Sequence, residues 1–597
     1  MAAATLSHCR NQAPKTLRPQ ALYMRLLKTS LLACSLLAFS VSCNDKSFLD
    51  VDPTGALSDD QLNSVENIDK QVIAAYAQLG NDIYYVPYTS MWPYGNVRGG
   101  DAYKGGGGTA DVDAFHFYET FTFNRVDLSN TDEFWYRMYL SISRCNDALR
   151  RLNAVDAAAM PNKAVRQGEM RFLRGHFYFL LKEMFKYVPY IDEELPVDQY
   201  PTISNVALSN DALWSKVADD FRFAVDNLPA NQPEIGRATK SAAQAYLAKT
   251  LLYQAYTQNE SNAVTGIDAA KLTEVNALCD AVINSGKYAL HPDFATNFLT
   301  AGDNGVESVF AIQFSRNDGT PKGRTDRGNE LNYPMNPEYG CCSFHQPSQN
   351  LINSFKTDAG GLPRFTDFNT SGDLVTPADF LSTTVDPRLD HTVAIVGHPF
   401  KYDPNFVFQN SWVRVPQVYG YNLSMKESVL PTDPSFQKTP PFMSSSKNWA
   451  IIRYADVLLW KAEALIELNR ASEALPLINQ IRQRAQNSTG RLKQASGAAT
   501  SNYKISLYPA TGFTQSYARE ALHFERRLEF AMEGFRFFDL VRWGIAAPSL
   551  NTYFEKEKNL RQYLSTARFT PARDEYMPIP INQINFSKGL YKQNVGW

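Results

Sequence analysis

Hydrophobic residues recur every three or four positions in a series of stretches along this chain, which is the pattern of amphipathic helices. Neighbouring stretches are joined by short turns, as in the stacked antiparallel helix pairs of tetratricopeptide-like repeats. We therefore predict a mainly α-helical fold built on a tetratricopeptide-like scaffold. The predicted helices span residues 68–79, 133–152, 163–185, 211–228, 239–257, 272–284, 449–468, 471–486 and 517–539.

The helical pattern lapses between residues 291 and 447. Within this region the segment 307–315, ESVFAIQFS, alternates enough to predict a strand, and the rest is rich in glycine, proline, asparagine and aromatic residues. A loop region of this length inside an ordered protein usually carries a function. We therefore predict an irregular, loop-rich ligand-binding insertion at 291–447, between helical parts at 68–290 and 448–597.

The N-terminal region has the features of a secretory signal. Arg25 and Lys28 precede a short apolar run that ends in small residues and Cys43, as such signals do. The run is shorter than the roughly 20 apolar residues that span a bilayer. The predicted division is an upstream mis-start at 1–23, a signal peptide at 24–42, and a polar tether with the mature N-terminus at 43–67.

Charge and cysteine usage exclude several classes of partner. The net charge is −2 and no basic cluster stands out, which argues against nucleic acid as a ligand. The cysteines show no metal-ligand spacing and the histidines are scattered, so we predict no metal and no cofactor. We expect Cys145 and Cys279 to be buried thiols. For the adjacent Cys341 and Cys342 we expect two unlinked cysteines, with a vicinal disulfide as the alternative.

The strongest candidate for ligand binding is an aromatic segment at 84–103, YYVPYTSMWPYGNVRGGDAY. Proline and glycine break any regular helix there, and aromatic clusters rimmed with polar groups usually mark binding sites when they are exposed. Stacking rings beside polar groups complement the apolar faces and the hydroxyls of sugars. The alternative is that Trp92 and Tyr94 wedge the loop onto the scaffold. The candidate ligand-binding residues of this segment are Tyr88, Trp92, Tyr94, Asn96, Arg98 and Asp101.

Two further aromatic groups lie in the predicted insertion. The segment 332–346, NYPMNPEYGCCSFHQ, offers Tyr333 and Tyr339 as possible stacking rings. A weaker group, at Trp412, Tyr419 and Tyr421, is as well explained by the core of the insertion.

A dense array of charges at 524–544, FERRLEFAMEGFRFFDLVRWG, has two interpretations. Glu529 and Glu533, one helical turn apart, resemble an acid/base pair for glycoside hydrolysis, which needs one carboxyl with a raised pKa. The other interpretation is an ion-paired brace, because arginines spaced at i,i+3 and i,i+4 would hold both glutamates ionised. We favour the brace, and we expect Gly534 to permit close backbone packing.

Several blocks of this sequence, taken together and in order, resemble the SusD/RagB family of outer-membrane lipoproteins, which capture nutrients for Bacteroidetes-type bacteria. The blocks are RFLRGHFYFLLKEMFKYVPY at 171–190, RATKSAAQAYLAKTLLYQA at 237–255, RYADVLLWKAEALIELN at 453–469, the charged block at 524–544, and YMPIP at 576–580. Lys186 departs from the family pattern, which has a glycine there. The matching blocks are spread over nearly all of the mature chain.

The resemblance implies a binding protein and not an enzyme. It implies that Cys43 is the lipidated residue, that the protein is anchored in the outer membrane and exposed on the cell surface, and that it partners a SusC-like TonB-dependent transporter. The implied ligand is an oligosaccharide or polysaccharide. By analogy with the family, rings from 84–103 and 332–346 would combine into one ligand site.

Other functions stay open at the level of the sequence. A RagB-like peptide receptor would use backbone hydrogen bonds and charged pockets in place of stacking rings. A secreted glycan hydrolase would need two carboxylates in a cleft, and Asp101, Asp111 and Asp113 lie near the aromatic segment without the spacing of a divided acid and base. A structural lipoprotein with no ligand would leave exposed aromatic residues unexplained.

Overall fold

The structure is a computed structural model that describes residues 59–122, 126–320 and 323–597. The predicted mis-start, the signal segment and Cys43 therefore lie outside the described residues. Within the described ranges, no helix combines the length and the apolar character needed to cross a membrane.

Helices dominate the chain outside the predicted insertion. After a four-residue helix at Asp59–Leu62, the scaffold helices are α1 Val65–Tyr76, α2 Asp113–Thr120, α3 Ser129–Ala154, α4 Lys163–Phe185, α5 Asn210–Asn227, α6 Lys240–Ala255 and α7 Ala269–Asn284. Short helices follow at α8 Gln349–Ser354, α9 Pro377–Ser382, α10 Arg388–Thr392 and α11 Pro416–Tyr419. The C-terminal helices are α12 Tyr454–Glu467, α13 Ala471–Asn487, α14 Gln515–Phe530, α15 Arg536–Arg542, α16 Ala546–Glu557 and α17 Ile581–Phe586.

Each long helix packs against the next one along the chain, from α3 through α7. Helix α7 then packs directly on α12, which in turn packs on α13 and α14. The insertion is therefore looped out between two helices that are neighbours in space. This stacking confirms the predicted mainly α-helical, tetratricopeptide-like scaffold, and α4 has the bounds that its hydrophobic pattern predicts.

The strands are short and form two-stranded sheets within the described residues. They are β1 Ala102–Gly105, β2 Tyr256–Gln258, β3 Val264–Ile267, β4 Ser308–Ile312, β5 Phe344–Pro347, β6 Thr384–Val385, β7 Val393–Ala394, β8 Pro399–Phe400, β9 Asp403–Val407, β10 Leu423–Ser424, β11 Phe436–Thr439, β12 Phe442–Ser445, β13 Trp449–Arg453 and β14 Asn502–Tyr503. The pairs are β1–β5, β2–β3, β4–β13, β7–β10, β8–β9 and β11–β12, all antiparallel, and the parallel pair β6–β14.

Two of the predicted helices differ from the structure by more than a few terminal residues. The first residues of the stretch 449–468 form strand β13, which pairs with the predicted strand at β4, and the helix begins only at Tyr454. The stretch 517–539 is broken after Phe530, because Met532 and Gly534 have positive φ angles that no helix contains. Gly534 thus lies in the turn between α14 and α15, and not within a helix.

The cysteines differ from expectation at one place. Cys145 and Cys279 are buried free thiols, as predicted. Cys341 and Cys342 form a vicinal disulfide, so the expectation of two unlinked cysteines is wrong.

Candidate functional site

The two aromatic segments singled out in the sequence come together in the structure. Strand β1, at the end of the first segment, pairs with β5 of the insertion, with Tyr103 opposite Gln346. The Trp92 ring lies against His345, with ring centroids 5.2 Å apart, and its Nε1 donates to the carbonyl oxygen of Gly328 at 3.3 Å. The segments therefore share one packed unit that joins the scaffold to the insertion.

This unit is a core and not an exposed platform. The proposed ligand-binding residues, Tyr88, Trp92, Tyr94, Asn96, Arg98, Asp101, Tyr333 and Tyr339, are each at most 2% exposed. A ring with so little accessible surface has no face for a sugar to stack on. The prediction that these residues form an exposed ligand surface is wrong, and the alternative, a wedge that seats the loop on the scaffold, describes Trp92 and Tyr94.

The polar members of the segment are committed to distant parts of the chain. Asn96 Oδ1 accepts from the backbone N–H of Gly534 at 2.9 Å. Arg98 donates to the carbonyl oxygen of Asp574 at 2.7 Å, and Asp101 accepts from Arg527 at 2.8 Å. These contacts tie the N-terminal segment to the C-terminal helices. They are structural, because buried polar groups need such partners.

Tyr333 and Tyr339 belong to a separate hydrophobic cluster inside the insertion. Their ring centroids lie 5.5 Å apart, and the Tyr339 hydroxyl donates to the carbonyl oxygen of Val429 at 2.6 Å. Trp412 is buried in the same cluster, as the weaker interpretation of that group anticipated.

The charge array of α14 is a buried brace. Glu529 is fully buried against Arg388, Arg453 and Arg484. Glu533 pairs with Arg453 at 3.0 Å and with Lys426 at 2.6 Å. The brace itself is confirmed, but its partners are not the local arginines that the i,i+3 and i,i+4 spacing suggested. They come from α10, β13 and α13 and, for Lys426, from the residues after β10, so the network clamps the insertion to the C-terminal helices.

The electrostatics of Glu529 do not suit an acid catalyst. Burial alone would raise the pKa of Glu529, but Arg484, Arg453 and Arg388 together hold it well below its ordinary value. A general acid for glycoside hydrolysis needs the opposite shift. The side chain is also inaccessible to a sugar, so the acid/base interpretation of Glu529 and Glu533 is not supported.

A different surface lies just past the end of the β1–β5 pair. It consists of the glycine-rich loop at 106–111 and the segment 414–421, whose helix α11 contacts β1, and we call it the loop face. Arg414 Nη1 lies 2.9 Å from Asp111 Oδ2, which also accepts from the backbone N–H of Gly107 at 2.7 Å. The Tyr421 side chain is 45% exposed. The loop face thus contains an accessible ion pair between two distant chain segments, and the second of these segments also carries the exposed Tyr421.

Buried polar groups support the loop face from below. Lys104 Nζ donates to the carbonyl oxygens of Gly105, at 3.0 Å, and Gly108, at 2.8 Å, and to that of Asp111. Burial lowers the pKa of Lys104 to about 8. The Tyr419 hydroxyl is buried without a hydrogen-bond partner among the described residues. The Lys104 ammonium therefore fixes the path of the loop, and the Tyr419 hydroxyl makes no hydrogen bond to the described residues around it.

Sequence reasoning identified only part of this face. The glycine run and Tyr421 were visible in the sequence, but Tyr421 was grouped with two rings that prove to be buried. Arg414 was missed, because its ion-pair partner Asp111 lies far away in the chain. No local pattern identifies such a pair.

Comparison with known proteins relates this geometry to a family. Residues 306–597 match the model of the SusD family, and residues 47–252 match a model described as starch-binding associating with outer membrane. SusD-like protein P25 of Formosa agariphila is 22% identical over 93% of this chain and 95% of its own length. A SusD-like protein of Bacteroides ovatus is 24% identical over 87% of this chain and 83% of its own length.

Solved structures share the fold. A SusD homolog from Bacteroides thetaiotaomicron superposes with a TM-score of 0.66 at 20% identity, covering 90% of this chain and 98% of that one. A laminarin binding SusD-like protein gives a TM-score of 0.63 at 21% identity, over 89% and 100% of the two chains. Surface glycan-binding protein A from Bacteroides fluxus gives 0.62 at 22%, again over 89% and 100%. The family models and the relatives that match over nearly the whole length show that this chain belongs to the SusD-like family.

Proposed function

We propose that this protein is a non-catalytic glycan-binding protein of the cell surface. It is held on the outer membrane by a lipid on Cys43, captures an oligosaccharide or polysaccharide, and delivers it to a SusC-like TonB-dependent transporter. Membership of the SusD-like family supports this role. Solved proteins of the same fold, one named as laminarin binding and one as a surface glycan-binding protein, support a glycan as the ligand.

The loop face is the observation that carries the proposal for a site. A sugar needs a flat apolar surface and polar groups beside it, and the segment 414–421 supplies both kinds of group: the exposed Tyr421 ring, and Arg414, which pairs with Asp111. The carboxylate accepts hydrogen bonds from hydroxyls, and the guanidinium donates them. In this scheme the buried residues of the aromatic segment, Trp92 and Tyr94 among them, position the loop without touching the ligand.

Weak binding at such a site is sufficient for uptake. A receptor tethered beside its transporter meets the transporter at a high effective concentration, so each capture need not be tight. No covalent step is required, and the glycan leaves the loop face unchanged.

Calorimetric titration of the purified protein with laminarin tests the site. We expect saturable binding, and we expect Tyr421→Ala and Arg414→Ala each to weaken it about tenfold, because truncating a central aromatic or arginine contact costs more than about 1 kcal/mol. Tyr136→Ala is the matched control, since Tyr136 is a more exposed tyrosine on α3, at 57%.

The outcomes separate the alternatives. Unchanged affinity in both loop-face variants would remove the loop face as the site, whatever the ligand. A parallel titration with a tryptic peptide digest tests the other ligand class. Binding of peptides without any binding of laminarin would favour a RagB-like peptide receptor.

A further inference from the structure

A second concave surface lies between the C-terminal helices and the insertion, and it shares no lining residue with the loop face. This C-terminal cleft encloses about 530 Å³ among α14, α15, α16 and the insertion segment 366–370. Ligand pockets for small molecules typically fall in the range of roughly 300–1,000 Å³. Its lining includes Phe368, Asn369, Phe524, Arg527, Arg536 and Lys556.

Most of the charge in the C-terminal cleft is already neutralised. Arg527 pairs with the buried Asp101 at 2.8 Å and donates to Asn350 Oδ1 at 2.8 Å. Lys556 lies 3.2 Å from Asp373. These cations each have a carboxylate partner, so they shape the wall without leaving a free positive charge.

Arg536 is different. Its Nε is buried without a hydrogen-bond partner, and no ion pair joins its guanidinium to a carboxylate of the described residues. The neighbouring carboxylates are already paired with other arginines. Asp101 pairs with Arg527 at 2.8 Å, and Asp539 pairs with Arg526 and with Arg542, both at 2.9 Å. Burial, followed by the charge of Arg527, lowers the pKa of Arg536 to about 10. The Arg536 side chain is partly exposed to the cleft, but a buried guanidinium nitrogen without a partner is costly, and a bound anion that accepts from it reduces that cost.

The walls around this cation suit a sugar better than a simple ion. The partly exposed rings of Phe368 and Phe524, with centroids 5.5 Å apart, give an apolar side. The Asn369 backbone is held by Lys556, whose Nζ donates to its carbonyl oxygen at 2.6 Å. The cleft therefore combines an apolar wall, polar groups fixed in position, and one guanidinium with free donors.

From this arrangement we infer that the C-terminal cleft is a second binding site, which takes an anionic unit of an acidic saccharide through the guanidinium of Arg536. The anionic group is a sulfate ester or a carboxylate, since a planar guanidinium binds either through paired hydrogen bonds. That the anion belongs to a glycan rests on the proposed function. The position of the site at Arg536 does not depend on the proposed function.

Titrations with matched probes test the inference. Dextran sulfate and oligogalacturonate carry the sulfate ester and the carboxylate, and uncharged dextran is the neutral control. We expect the acidic probes to bind the full-length protein, dextran not to bind in the cleft, and Arg536→Gln to weaken the binding of an acidic probe at least tenfold. Binding of dextran sulfate alone identifies a sulfate ester, and binding of oligogalacturonate alone identifies a carboxylate. Arg470→Gln removes an exposed arginine outside the cleft and is expected to change nothing.

The failure of this inference is distinguishable from the failure of the proposed function. Laminarin binding with no binding of either acidic probe, or with acidic binding unaffected by Arg536→Gln, overturns the second site alone. No binding of any glycan, neutral or acidic, overturns both. Phe368→Ala leaves every charge in place and is the second variant if Arg536→Gln does not fold. It too is expected to weaken acidic probes about tenfold while laminarin affinity stays the same.

Discussion

Replacing Glu529 by glutamine is expected to lower the free energy of unfolding by about 3–5 kcal/mol, because removing one partner of a buried ion network leaves the others uncompensated. The Glu529 carboxylate is fully buried and is shared by Arg388 at 3.3 Å, by Arg453 at 3.0 Å and by Arg484. These arginines lie on α10, β13 and α13. The glutamine has a similar shape, so the loss is electrostatic and comes with little change in packing.

The same variant has a defined dependence on pH. The arginines hold the pKa of Glu529 below its ordinary value, so its contribution to stability is fully present above the unfolded pKa of about 4.3 and is lost as the pH falls toward the lowered folded pKa. The stability difference between wild type and Glu529→Gln is therefore expected to be constant near neutral pH and to shrink in acid. Urea denaturation followed by circular dichroism at pH 7 and pH 3 measures both values.

An exposed ion pair provides the control for Glu529→Gln. Glu473 pairs with Arg470 at 2.6 Å, but their side chains are 54% and 44% exposed. Exposed pairs contribute little to stability, so Glu473→Gln is expected to keep the wild-type urea midpoint. A Glu529→Gln protein with the wild-type midpoint at pH 7 would show that the network does not brace the fold.

The helical scaffold could be predicted because the hydrophobic pattern of each helix involves residues that are close together in the sequence. Helix α4 could be located to the residue from spacing alone, since its apolar positions repeat within a few residues of one another. The strand at β4 was also visible, but its partner β13 was absorbed into a predicted helix. The first four residues of β13 are apolar, the strand runs directly into α12, and nothing in the order of its residues marks the change.

The candidate site was harder to predict because burial depends on distant residues. Trp92 and Tyr94 lie in a segment rich in glycine and proline, which usually means an exposed loop. They are buried because Phe115, Tyr118, Phe134 and His345 pack around them. In the same way, the partners of Glu529 could not be read from helical spacing, since they lie on other elements. Composition indicates that rings are present, but only the fold decides which of them faces solvent.

Gly95→Ala is expected to prevent folding, with a loss above about 4 kcal/mol, which is the range for severe packing defects. A Cβ atom on Gly95 would lie 1.7 Å from the carbonyl oxygen of Gly534. Since the obstacle is backbone, no side-chain rotation relieves the overlap. Gly534 itself has a φ angle of +91°, which side chains other than glycine rarely adopt. A Cβ on Gly534 would in turn lie 2.2 Å from the carbonyl oxygen of Ser90, which confirms that Gly534 permits close backbone packing.

Soluble yield and urea denaturation of Gly95→Ala measure the effect, with Gly490→Ala as the matched control. A Cβ on Gly490 meets no atom within 4 Å, so this variant is expected to fold and to keep the wild-type midpoint. The N–H of Gly534 also donates to Asn96 Oδ1, so the same overlap would disrupt the hydrogen bond that ties the aromatic segment to the turn before α15. A soluble Gly95→Ala protein that unfolds at the wild-type urea concentration would mean that the two backbones separate freely. The aromatic segment would then not be the fixed support on which the loop face depends.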